Sequence, residues 1–338
     1  MQLKNMGHVE AILCATLGDR AGRDTLAMLD IPQALLDQRG DAVSRAAFAM
    51  AMNVGLFHDL LDRVPSGRAY VADTLAQGRR IHFDHGALRT IRFADGPTGG
   101  LPGGEDAFTR IFLPLGYAMA AVYPLDRLRM TGRAYRHVDM PDAIPQFFLS
   151  ELHVDRFDPA FGEAAQRVFG TSRDPLDDAA KDVLRRYEAV EAVHIAVAIE
   201  AMPTILSAFD RHHAPPSFDD YQALLAQSNE AAWIATEGNA FNHATDRVAD
   251  VAALAERLKA QDRPMKERLE ISSSGRVRQT AFRADRVDRP FADGETRTVS
   301  GSFFEFISRD IDPDTGLIDL AFDTGNATGI FAMTGAGR

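Results

Sequence analysis

Gly301-Ser302-Phe303-Phe304-Glu305-Phe306-Ile307-Ser308-Arg309-Asp310 sets a single carboxylate inside an otherwise apolar strand, flanked by three phenylalanines. Side chains alternate along a strand, so Phe303, Glu305 and Ile307 share one face while Phe304 and Phe306 take the other. A buried carboxylate is expensive unless it is paired or bound to a metal. Arg309 has the same parity and is the obvious non-metal partner, so the two readings of Glu305, ion pair and metal ligand, both stand at this point.

Outward from this strand, short strands are predicted after Leu269 at 277–282, 296–306, 318–321 and 330–333. The preceding stretch, 230–248, leads into a helix at 252–258. A similar order occurs earlier. Residues 68–93 alternate and carry Thr90-Ile91-Arg92-Phe93, the loop 96–104 is rich in Gly and Pro, and a short helix is predicted at 106–113. Strands at 115–122, 128–136 and 146–152 follow. Helical spacing marks 7–17 and 46–61 within a helical stretch running to about Arg63, then 174–201 and 217–226, with Pro215-Pro216 between the last two. Two blocks of strand, helix and further strands, flanked and separated by helices, predict an α+β protein with a mixed, curved sheet. The expected organisation is a single domain, 1–338. It divides into a helical part at 1–65, a first β module at 66–165, a helical insert with a second candidate ligand at 166–265, and a second β module at 266–338. The blocks share element order but no fixed-period residue repeat.

The chain has 338 residues, 46% of them apolar and 25% charged, with net charge −11. This is globular composition, and the acidic balance argues against a nucleic-acid partner. It also requires that any anionic substrate be met by local arginines, with Arg89, Arg247 and Arg276 as the candidates. A single cysteine, Cys14, excludes a disulfide framework and a Cys-rich metal site. With no secretory pattern and no apolar run of about 18 residues, the expectation is a cytoplasmic protein without membrane association. Metal chemistry then falls to the ten histidines and to carboxylates.

Two histidine segments stand out. Asp84-His85-Gly86-Ala87-Leu88-Arg89 puts a histidine on a strand, followed by a glycine that permits close approach, with Arg89 on the same face. A structural histidine is the plainer alternative. Phe241-Asn242-His243-Ala244-Thr245-Asp246-Arg247 surrounds a second histidine with polar groups suited to supporting hydrogen bonds, or else is a loop or capped helix start. Two histidines and a carboxylate are the ligand set of facial-triad Fe(II) oxygenases, although the three residues are far apart and form no local motif. Other features read as structural. Glu191-Ala192-Val193-His194 occurs once where a di-iron bundle needs two copies, His212-His213 precedes Pro215-Pro216 as an exposed loop doublet, and Ser272-Ser273-Ser274-Gly275-Arg276 is a turn.

At these segments the chain resembles the 2-oxoadipate dioxygenase/decarboxylase (hydroxyglutarate synthase) family. The resemblance is carried by His85-Gly86-Ala87-Leu88-Arg89, Phe148-Leu149-Ser150-Glu151-Leu152, Phe241-Asn242-His243-Ala244-Thr245 and Phe303-Phe304-Glu305-Phe306-Ile307-Ser308-Arg309. Arg278-Gln279-Thr280-Ala281-Phe282 and Asn326-Ala327-Thr328-Gly329-Ile330-Phe331 add to it, in family order from about residue 65 onward. The resemblance implies a vicinal-oxygen-chelate-type fold of βαβββ modules holding one Fe(II) on His85, His243 and Glu305. It further implies Arg89 as a catalytic residue that binds a substrate carboxylate, with Gln279 near the metal. The chain is shorter than fuller family members in its C-terminal half, where those members line their substrate pocket. The implied reaction takes 2-oxoadipate and O2 to 2-hydroxyglutarate and CO2, a step of lysine breakdown, with the substrate serving as its own oxo acid. A redox-silent isomerase or lyase using Zn or Ni, and a non-catalytic binding protein in which Glu305 pairs with Arg309, are the alternatives.

Overall fold

The computed structural model describes residues 6–322. The strand expected at 330–333 and the segment at 326–331 lie outside these residues. Among the described residues the strands are β1 (Ala42–Ser44), β2 (Phe83–Arg92), β3 (Tyr117–Leu125), β4 (Met130–His137), β5 (Gln146–His153), β6 (Ala192–His194), β7 (His243–Arg247), β8 (Glu270–Ile271), β9 (Val277–Ala281), β10 (Arg286–Pro290), β11 (Thr296–Ser300) and β12 (Phe303–Arg309). Eight of them form one sheet in the order β3-β4-β5-β2-β7-β12-β9-β8, while β1 pairs with β6 and β10 with β11.

The sheet consists of two units of the same topology. The first is β2, the helix Asp106–Phe112, then β3, β4 and β5; the second is β7, the helix Val251–Ala260, then β8, β9 and β12. In each unit the first strand lies parallel to the last, β2 against β5 and β7 against β12, and the remaining pairs are antiparallel. The units join through their first strands, with β2 antiparallel to β7. This is the mixed, curved sheet of two βαβββ modules that the resemblance implies. The shared element order therefore reflects a shared strand arrangement.

The N-terminal helices cover one face. The helix Arg45–Arg63 is capped by Ser44, whose Oγ accepts from the Ala47 amide at 3.1 Å, and most of its length is buried. Phe57 from this helix packs on Phe83 and Phe304, and Tyr70 from the helix Pro65–Ala76 packs on Phe304 and Phe306. Full burial of each such ring stabilises by about 1.5–3 kcal/mol. Phe304 and Phe306 thus anchor the sheet, and the opposite face is left to Phe303, Glu305 and Ile307, as the alternation predicts.

Several local expectations change. The helix expected at 174–201 is broken at Glu191, which takes a left-handed φ of 59°, so two helices, Asp178–Val190 and Ile195–Ser207, flank the short β6. The strand expected at 296–306 is two strands in different sheets, divided at Gly301-Ser302. A Cβ at Gly301 would come within 2.9 Å of the Val287 side chain. Residues 68–76 are helical, β1 interrupts the N-terminal helical region, and 318–321 contributes an isolated bridge from Ile318 to Ile311. The segment around His243 is neither a loop nor a helix start but β7, the first strand of the second unit.

Candidate metal centre

The pairing of β2 with β7 builds the site. Phe83 faces Asp246 and His85 faces Thr245, so Asp84 is an extra residue in a bulge; Gly86 then faces Ala244 and Ala87 faces His243. On the other side of β7, Thr245 faces Glu305. His85, Thr245 and Glu305 therefore lie in one row across three strands, with His243 one step along on the same face. The glycine is required here, because a Cβ on Gly86 would meet the Phe241 ring at 2.4 Å.

Donor atoms of His85, His243 and Glu305 all lie within 4.8 Å of one another, and all three residues are buried. His85 Nε2 is 3.2 Å and His243 Nε2 is 3.1 Å from Glu305 Oε2. The two units make this arrangement nearly symmetric. Each histidine sits one residue before the central Gly86–Ala244 pair on the first strand of its unit. Glu305, opposite Thr245 on the last strand, has its counterpart in Phe148, opposite Ala87 on β5. The position that could have supplied a fourth donor carries a phenyl ring.

Surrounding groups hold the donors in place. Asp84 Oδ1 is 2.8 Å from His85 Nδ1, which accounts for the Nδ1–H and leaves Nε2 facing the centre. Thr245 Oγ1 donates to Glu305 Oε2 at 2.7 Å, and the Asn242 amide lies 3.1 Å from His243 Nδ1. Asp84 is fully buried; burial alone would raise its pKa, but Arg309 and Arg247 outweigh that and hold it well below the usual range. Burial likewise opposes charge on Glu305, yet His243 and His85 keep it ionised. His85 is raised because Asp84 and Glu305 overcome its burial, whereas burial dominates at His243 and lowers it.

A divalent metal fits this donor set. Among the described residues, His243 Nε2 and Glu305 Oε1 are buried without a hydrogen-bond partner. Two unpartnered buried atoms beside a third nitrogen are an arrangement a cation would satisfy, and two imidazoles with a carboxylate suit iron, zinc or nickel.

The residue pattern extends over most of the chain. Residues 51–313 match the family model described as 2-oxoadipate dioxygenase/decarboxylase. The chain belongs to that family. It is 24% identical over 291 residues to the chloroplastic 2-oxoadipate dioxygenase/decarboxylase of Arabidopsis thaliana, covering 76% of this chain and 69% of that protein. The corresponding protein of Oryza sativa is 25% identical over 288 residues, covering 76% of this chain and 70% of its own. Among solved structures, one from Ralstonia eutropha JMP134 named for the glyoxalase superfamily is 49% identical, with a TM-score of 0.89 over 94% of this chain and 99% of that one. The hydroxyglutarate synthase of Oryza sativa in complex with 2-oxoadipate shares the fold, with a TM-score of 0.68 at 20% identity over 86% of this chain and 93% of that one.

The two further residues that the resemblance implies, Arg89 and Gln279, lie on strands of the same sheet. Arg89 lies on the same strand face as His85 and is buried, with its guanidinium carbon 5.0 Å from the Trp233 ring centroid. Burial pushes its pKa down to about 10, partly offset by Glu230, so it stays charged at neutral pH. Gln279 faces Ile307 across β9 and β12, on the Glu305 side, and its amide donates to Glu270 at 3.2 Å. Phe303 tilts against His243 at 4.8 Å, and Phe322 stands edge-on to His85 at 4.8 Å. The sequence offers no signal for the roles of Trp233, Asp84 and Phe322. The bulge that aims Asp84 at His85 has no signature in the local sequence, and the other two come from distant segments.

The remaining candidates lie elsewhere. Arg247 donates to Asp84 at 2.6 Å, beside the centre, but Arg276 is held by Asp319 and Asp312. Glu191 pairs with Arg45, and His194 caps the helix Ile195–Ser207, so the Glu191–His194 spacing does not mark a helix face. His213 is buried rather than exposed, 2.9 Å from the Ala235 carbonyl. Among the described residues no helix is long and apolar enough to cross a membrane.

Proposed function

We propose that the chain is an Fe(II)-dependent 2-oxo acid dioxygenase that decarboxylates 2-oxoadipate, giving 2-hydroxyglutarate and CO2 in lysine breakdown. The observation that carries this reading is the cluster of His85, His243 and Glu305, with two buried polar atoms, His243 Nε2 and Glu305 Oε1, that make no hydrogen bond. Iron(II) held there would supply the one-electron chemistry that lets an organic acid react with O2. The rest of the task falls to this chain's own groups. Asp84 fixes the His85 tautomer, and Thr245 orients the Glu305 carboxylate. Arg89 offers a buried cation for a substrate carboxylate, which answers the repulsion expected from the net charge of −11. Phe148, Phe303 and Phe322 keep water from the reacting atoms. Gln279 lines the Glu305 side as a further polar contact for substrate. Across the whole reaction, one atom of O2 ends in the new carboxylate and the other in the 2-hydroxyl.

The test is anaerobic loading with Fe(II), followed by O2 uptake and CO2 release across a chain-length series of 2-oxo diacids. The expected result is one O2 consumed per CO2 released, with 2-oxoadipate preferred. Absence of both with every acid would overturn the reading. Turnover without O2 after loading with Zn or Ni would instead support a redox-silent isomerase or lyase, the reading favoured by the glyoxalase-superfamily name of the 49%-identical structure.

A further inference from the structure

We infer that Trp233 is a positioning residue that acts through Arg89 to set the chain-length preference for a diacid. The inference rests on the proposed function, in that Arg89 is taken to receive a substrate carboxylate.

Trp233 is on the helix Asn229–Glu237, in the segment between the two βαβββ units, and is 2% exposed. Its ring lies 5.0 Å from the Arg89 guanidinium carbon. An indole face is the best aromatic partner for a guanidinium, more so when both are out of water. The ring is itself fixed, because its Nε1–H donates to the Gly301 carbonyl at 3.0 Å. Gly301 opens the turn into β12, the strand that carries Glu305. Trp233 therefore spans the two halves of the site, with Arg89 of the first unit on its ring and the start of the Glu305 strand on its nitrogen. The Arg89 backbone is fixed as well, since Asn239 Nδ2 donates to its carbonyl at 2.8 Å. Neither link touches the three candidate ligands, so Trp233 bears on where the cation stands relative to the centre and not on the donors themselves.

A second observation gives this role a direction. Trp233 also lines an outer cavity of about 290 Å³ shared with Phe218, Tyr221, Arg286 and Arg297. The indole is thus part of the wall between that cavity and the buried Arg89. Shortening it opens a path for water to the guanidinium and lets the side chain swing, which weakens and displaces the carboxylate contact. A substrate without a distal carboxylate has no stake in that contact.

Trp233 is the one tryptophan of the chain, so the intact protein carries its own reporter. In the wild-type protein loaded anaerobically with Fe(II), 2-oxoadipate is expected to change the Trp233 fluorescence and 2-oxohexanoate to change it far less. Trp233→Leu is expected to raise KM for 2-oxoadipate about tenfold, keep kcat within about threefold, leave 2-oxohexanoate kinetics unaltered and flatten the preference among C5, C6 and C7 diacids. Trp233→Phe, which keeps a ring but loses the bond to Gly301, should fall between the two. Bound iron per chain should be the same in all three proteins. Equal losses on diacid and monoacid, or lost iron, would mean a merely structural role and overturn the inference. So would a wild-type protein that turns over 2-oxoadipate with no change in fluorescence. If neither acid is turned over, the proposed function fails, and a fluorescence change specific to the diacid still supports the Trp233–Arg89 subsite.

Discussion

Arg309 is paired with Asp84, not with Glu305. Its Nε lies 2.9 Å from Asp84 Oδ2 and its Nη2 2.9 Å from Oδ1, a two-pronged contact between fully buried groups. Its Nη1 donates to the carbonyls of Asp319 and Ala321. The plainest alternative for Glu305, an ion pair with the arginine four residues on, is therefore closed, and Glu305 is left to the two histidines.

From this pairing, Asp84→Asn is expected to act at two levels. It removes the charge that compensates Arg309 and Arg247, which should destabilise the fold by about 3–5 kcal/mol in denaturant titration. It also loosens the His85 ring, which should weaken metal binding by about 10–100-fold in a competition titration. Unchanged metal affinity in a folded variant would remove Asp84 from the site.

His85→Ala, His243→Ala and Glu305→Gln are each expected to abolish stoichiometric metal binding, measured as metal per chain after dialysis. A structural role for these residues predicts a destabilised protein that keeps its metal. Glu305→Gln is the sharper test, because it keeps size and most hydrogen bonding while removing the charge.

Arg89→Met is expected to raise KM for a 2-oxo diacid about 100-fold or more, with bound metal unchanged, as a buried charge-assisted contact is lost. Arg89→Lys should recover only part of this, since an ammonium lacks the planar fork and stacks poorly on Trp233. The readout is substrate-dependent O2 uptake.

Gly86→Ala should destabilise the fold by about 1–3 kcal/mol, seen as a lowered Tm, because the added methyl would sit 2.4 Å from the Phe241 ring. Phe241→Leu in the same background should restore part of the loss. No recovery would mean that backbone strain, not the ring, sets the effect.

Asp246 gives a pH dependence. Burial raises its pKa to about 7 despite hydrogen bonds from Tyr70 and the His82 amide. The folded state therefore favours the protonated acid. That stabilisation is complete below the ordinary value of 3.8 and is lost as pH rises through about 7. Wild-type stability should fall relative to Asp246→Asn across this window, by about 1.4 kcal/mol per pH unit at the steepest. Parallel stability profiles for the two proteins between pH 4 and 8 would refute it.

Much of this architecture was legible in the chain. Three of the first unit's four strands, β3, β4 and β5, could be placed within a few residues because alternation and Gly/Pro punctuation are local signals, whereas the alternating stretch 68–93 covers a helix as well as β2. The faces of Phe303–Phe306 can be read from the chain because side-chain period is a property of any strand. Breaks that depend on packing were not visible. At Gly301 the chain passes from one sheet to the other where a side chain would meet Val287, and Glu191 ends a helix in a left-handed turn, while each looks unremarkable among its sequence neighbours.

By itself, then, the sequence determined most of the element types, the two-block order and the residue types able to hold a metal, since these follow from local periodicity and side-chain chemistry. Which of those residues meet was decided by the tertiary structure alone. The antiparallel join of β2 with β7 brings His85 beside His243, the parallel pairing of β7 with β12 adds Glu305, and a single-residue bulge turns Asp84 toward His85 and Arg309. Strand register is set by the packing of Phe241, Phe304 and Phe306 on the opposite face. Contacts between residues so distant in the chain depend on that register, and no local pattern encodes it.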